Sequence, residues 1–151
     1  MKKQKPIDQA VGFVHSKANA RATGSWRYDA GQKLLLLESF QACPEMNQQV
    51  AEGFPAATAE VPVTDTGLGI VLAARAMSVT EYRAIDLPPE TGSGYWLRGF
   101  EADRSVAVPQ IDNQGNLIRI LSVAVTGLDK PFEDYAELIR RAYAIFIDQP
   151  E

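Results

Sequence analysis

The segment that most constrains how this chain can fold runs from Ser105 to Val125. Ser105 to Ile111 alternates through Val106 and Val108, Asp112-Asn113-Gln114-Gly115 is a turn sequence, and Leu117 to Val125 alternates again or runs fully apolar. Side chains of an extended chain point to opposite faces in turn, so this pattern predicts a β-hairpin at the middle of the molecule. Everything else has to be arranged around it.

A second hairpin is expected near the N-terminus. Gly24 precedes Ser25-Trp26-Arg27-Tyr28-Asp29, which alternates aromatic and polar residues, Ala30-Gly31-Gln32 is a compact turn, and Lys33 to Phe40 carries four consecutive leucines suited to a strand buried on both faces. Helices flank the two hairpins. Ile7, Ala10, Val11, Val14 and Ala18 recur at helical spacing after Pro6, predicting a helix over about 6–20. Pro131 opens a last helix whose apolar stripe runs through Phe132, Tyr135, Leu138, Ile139, Ala142, Ile145 and Phe146.

The middle of the chain is less regular. Pro44 and Pro55 bracket a possible short helix with Met46 and Val50, and Glu60-Val61-Pro62-Val63 suits an edge strand, because proline cannot donate to a central ladder. Thr66 to Met77 reads as a helix entered through a glycine pair, although Ile70 to Ala74 also suits a buried strand. Val79 to Ile85 fits either state. Pro88-Pro89 and Gly92-Ser93-Gly94 predict a loop.

Composition limits the function. With 151 residues, 46% hydrophobic and 23% charged, the chain can bury one ordinary core, and no internal repeat divides it, so residues 1–151 are expected to form a single α+β domain. A net charge of -4, with Lys2, Lys3 and Lys5 as the one basic cluster, argues against direct nucleic-acid binding. The apolar runs are too short to span a membrane. Cys43 is the lone cysteine, and a cytoplasmic location is expected.

The order helix, hairpin, mixed middle, hairpin, helix resembles a GAF domain, a bacterial sensory module. The resemblance is carried by Ala20 to Leu36 as the first hairpin and by Thr66 to Leu87 as the segment leading to a pocket-covering loop. Its third part is Arg104-Ser105-Val106-Ala107-Val108-Pro109 with Gly115-Asn116-Leu117-Ile118-Arg119-Ile120, a Ser-x-x-x-Val-Pro strand followed by a second strand. The effector-binding half of IclR-type regulators is similar. The resemblance implies a central antiparallel sheet of about five to six strands, N- and C-terminal helices packed on one face, and a loop- or helix-covered pocket on the other.

Candidate site residues follow. Tyr82, Tyr95 and Trp96, with Arg98 close by, surround the glycine-rich loop, and aromatic walls with a few cationic groups suit a small-molecule site; Tyr95 and Trp96 could equally anchor the loop to the core. Arg83 and Asp86 have an Arg-x-x-Asp spacing by which a guanidinium grips a guanine edge or phosphate, against which stands a plain surface pair. His15 is expected at the surface or an interface. The free methionine sulfoxide reductases of the resembled family depend on several cysteines, so the single Cys43 predicts a chain that is not an enzyme.

The resulting expectation is a non-catalytic sensor of a small molecule in signal transduction or transcriptional regulation, needing no cofactor or metal. Its alternative is a protein-interaction adaptor or inhibitor with no small ligand. The resemblance also implies a homodimer through the terminal helices, at positions such as Val14 and Phe146, and a signalling protein as possible partner.

Overall fold

The computed structural model describes residues 4–147; Lys2 and Lys3 lie outside them. In chain order the elements are α1 (Pro6–Ala18), β1 (Ala22–Asp29), β2 (Leu34–Ala42), α2 (Gln48–Ala57), β3 (Glu60–Pro62), α3 (Gly69–Ala76), β4 (Thr80–Arg83), α4 (Gly92–Phe100), β5 (Arg104–Ile111), β6 (Leu117–Val125) and α5 (Phe132–Ala142). Short 3-10 and π turns follow β4 and α5 at Ala84–Asp86 and Tyr143–Ile147.

Both expected hairpins form, and they pair with each other through β1 and β6. The six strands are antiparallel in the order β3-β2-β1-β6-β5-β4. Turn chemistry sets the β5–β6 register: the Asp112 carboxylate accepts the N–H groups of Gln114 and Asn116 at 2.8 and 2.9 Å, and Gly115 takes φ +83.

Alternation along the strands builds two cores. Val106, Val108, Leu121, Val123 and Val125 face α1 and α5, burying Val11, Val14, Ala136 and Ile139 between them. Ala22, Trp26, Ala107, Ile120 and Ala124 face the other way, toward α2, α3 and α4. The terminal helices therefore share one face of the sheet and three internal helices cover the second, as the α+β expectation has it.

Four local differences have physical causes. Gly92 to Phe100 is a helix, where the glycines predicted a loop. Those glycines serve contact instead: a Cβ on Gly94 would lie 2.0 Å from the Pro88 carbonyl oxygen, and one on Gly92 would lie 2.3 Å from that of Gly67. The second helix begins after Met46, with Asn47 as cap accepting from Gln49 N–H at 2.8 Å, and it continues through Pro55. Of the four leucines of β2, Leu35 alone is fully buried, because only β3 lies beyond it. Val79 to Ile85 divides into β4 and the 3-10 turn.

Candidate functional site

A cavity of about 50 Å³ lies between the middle of the sheet and α2, α3 and α4. Its floor exists because neighbouring strands place small residues side by side. Ala22 stands opposite Ala124, Gly24 opposite Ser122, and Ser105 opposite Ala124 on the other flank of β6. Where Leu or Val would fill the space, these side chains leave it open.

The walls are aromatic. Phe54 of α2 meets Trp26, Trp96 and Phe100 edge-on, with ring centres 5.9, 5.1 and 5.0 Å away. The Trp26 indole lies over Gly24 and donates from Nε1 to the Thr58 carbonyl at 3.0 Å. A Cβ on Gly24 would come within 2.6 Å of the indole Cη2, so the absence of a side chain there is what lets the ring cover the floor.

Most polar groups around the cavity are already engaged. Thr58 Oγ1 donates to the Phe54 carbonyl at 2.8 Å, Ser93 Oγ accepts the Gly69 N–H at 2.9 Å, and Thr23 Oγ1 lies 2.9 Å from His15 Nδ1 behind the strand. The hydroxyls of Ser105 and Ser122 have no hydrogen-bond partner among the described residues, although both residues line the cavity. They are the groups left for a guest.

Of the residues singled out in the sequence, Trp96 lines this cavity. Tyr82 packs over Gly69 at the start of α3 and is not in the lining, with burial raising its phenol above the ordinary value. Tyr95 is 51% exposed and meets Trp96 edge-on at 5.0 Å. Arg98 is exposed and donates to the Gly94 carbonyl at 3.0 Å. Arg83 is exposed and pairs with Glu81 at 3.6 Å, and Asp86 is exposed on the 3-10 turn. Arg83 and Asp86 form no ion pair with each other among the described residues.

Gly24, Phe54, Ser105 and Ser122 escaped sequence reasoning. For Gly24, Ser105 and Ser122 the signal was the repeated small-x-small pattern of Ala22-x-Gly24, Ser105-x-Ala107 and Ser122-x-Ala124 inside otherwise bulky strands. His15, expected at a surface, is 8% exposed on the last turn of α1, against β1, and desolvation lowers its pKa. Cys43 is half-buried in the β2–α2 connection, outside the cavity lining.

No protein-family model matches the chain, and no curated protein matches it by sequence. Solved structures do match by fold. The GAF domain of an Acinetobacter phosphoenolpyruvate-protein phosphotransferase shares 12% identity and superimposes with a TM-score of 0.57, covering 92% of this chain and 82% of that one. The second GAF domain of DevS from Mycobacterium smegmatis gives 14% and 0.58, over 93% and 90% of the two chains. The fold is that of a GAF domain.

The GAF fold carries sensors and enzymes alike. A type II free methionine-R-sulfoxide reductase from Thermoplasma acidophilum is 16% identical, with a TM-score of 0.61 over 93% of this chain and 92% of that one. The expectation of a chain that does no chemistry is corrected accordingly, because this architecture is shared with a working catalyst.

No helix among the described residues is long and apolar enough to cross a membrane.

Proposed function

We propose that the chain is one GAF-fold sensory or regulatory domain in which a small molecule, held in the cavity between the sheet and α2, α3 and α4, biases the position of the outer helices. The observation that carries this is the cavity itself, with two unpartnered hydroxyls on a floor of small residues in the middle of the sheet.

Two connections through the sheet support the coupling. Thr23 borders the cavity on β1 and meets His15 of α1 behind it. Ser105 borders the cavity on β5, and its neighbour Arg104 points to the other face, where it donates to the Lys130 carbonyl and lies over the Tyr135 ring of α5 at 4.9 Å. A guest pressing on either strand moves a residue that grips a terminal helix.

A homodimer through α1 and α5, a cytoplasmic setting and a signalling partner belong to the same reading. Phe132, 36% exposed at the start of α5, supports the first of these. An adaptor role is the second reading, favoured by Ile85, 80% exposed on the 3-10 turn beside α4.

A thermal-shift screen of small metabolites, followed by hydrogen exchange, tests the proposal. A ligand is expected to raise the melting temperature and to change exchange in α1 or α5. Ligand binding that leaves both outer helices unchanged would refute the coupling.

A further inference from the structure

We infer that the cavity takes a small uncharged molecule of about three to five non-hydrogen atoms, carrying one hydrogen-bonding group and otherwise apolar. This rests on the reading of the cavity as a binding site and narrows it to a ligand class.

Size comes first. A water molecule needs roughly 10–15 Å³ of such space, and an engineered cavity of about 150 Å³ admits benzene. The 50 Å³ here corresponds to a few atoms and excludes a nucleotide or an amino acid without rearrangement.

Charge follows. Among the described residues no ionisable side chain lines the cavity, whose walls are Trp26, Phe40, Phe54, Trp96, Leu97 and Phe100. An ion moved there from water would lose its hydration with no opposite charge in return. Helix N-termini could offset this through free amides, but three of those beside the cavity are used, and the Ile70 N–H is left without a partner among the described residues. The Gly69 N–H donates to Ser93 Oγ, the Ser93 N–H to the Gly67 carbonyl, and the Val71 N–H to the Leu68 carbonyl. An anion would have to break these bonds or rest on the Ile70 N–H with no positive side chain beside it.

Polarity completes the class. Ser105 and Ser122 sit diagonally on adjacent strands, since Ser105 pairs with Ala124 and Ser122 with Ala107. A hydroxyl both donates and accepts, so the pair suits a carbonyl, an alcohol or a primary amide and selects against a hydrocarbon of the same size. At the ceiling of about 1.5 kcal/mol per atom, three to five atoms bind no more tightly than about half-millimolar to a few micromolar, which fits a sensor of an abundant compound.

The test is an NMR titration of the full chain with acetone, 2-propanol and acetamide as neutral probes, nitrate and formate as anions, and xenon as a probe of the space alone. Saturable shifts at the Gly24, Ser105 and Ser122 amides with the neutral probes, absent with the anions, are expected. Ser122→Ala should weaken acetamide binding by about fivefold while leaving the xenon response intact. Saturation by nitrate or formate instead, or a xenon response without any response to the neutral probes, overturns the ligand class and leaves the binding site standing. Silence toward every probe, xenon included, overturns the binding site as well.

Discussion

The Nδ1 of His15 lies 2.9 Å from the Thr23 hydroxyl, joining the last turn of α1 to the strand that borders the cavity. Burial lowers the pKa of this imidazole below its ordinary value of 6.5, so the folded protein keeps it neutral at a pH where the unfolded chain already binds a proton. Stability is then full above about pH 6.5 and falls as pH drops below it, levelling off under the folded-state pKa. The melting temperature is expected to decline as pH falls below about 6.5, and His15→Gln should flatten that decline. An equal slope in the variant would remove His15 as its cause.

Gly24 and Trp26 form a matched pair. Gly24→Ala brings a methyl group against a fully buried indole, displaces it and strains its bond to the Thr58 carbonyl. A loss of about 1–3 kcal/mol in urea unfolding is expected, with a shifted tryptophan emission. Unchanged emission and stability would mean that the ring has room to yield.

Arg104 is 1% exposed, ion-paired to Glu81 at 3.0 Å and placed over Tyr135. Arg104→Ala leaves Glu81 without its buried partner and opens a gap under α5, so a loss of about 3–5 kcal/mol is expected by chemical denaturation. Less than about 1 kcal/mol would show that Arg83 takes over the pairing.

Tyr143 donates to the Val108 carbonyl at 2.6 Å and accepts the Leu121 N–H at 2.9 Å, and burial pushes its phenol far above the ordinary range. Tyr143→Phe leaves two buried backbone groups without that oxygen, at a cost of about 1–3 kcal/mol. In an alkaline ultraviolet titration, Tyr143 should stay protonated for as long as the protein stays folded. Ionisation of Tyr143 before any loss of native circular dichroism would contradict the burial.

Where a residue's neighbours in sequence set its environment, the fold was legible. Val106, Val108, Leu121 and Val123 alternate, and alternation is enough to put them on one face of a hairpin. The α4 helix was hidden because Gly92 and Gly94 are glycines for the sake of Pro88 and Gly67, which only the folded chain brings near. The cavity was hidden for a related reason. Its floor is defined by what Gly24, Ser105 and Ser122 lack, and bulk missing from three strands becomes a space only when the register aligns them. The family resemblance places Trp96 near a pocket, yet says nothing of Phe54, whose helix continues through Pro55.

The sheet ends in β3 on one rim and β4 on the other, three and four residues long. Pro62 offers no N–H on the first, and Glu81 and Arg83 put charge on the second. Strands this short and so built give an incoming strand little backbone to zip onto, which disfavours fibril-like growth by strand addition at β3 or β4.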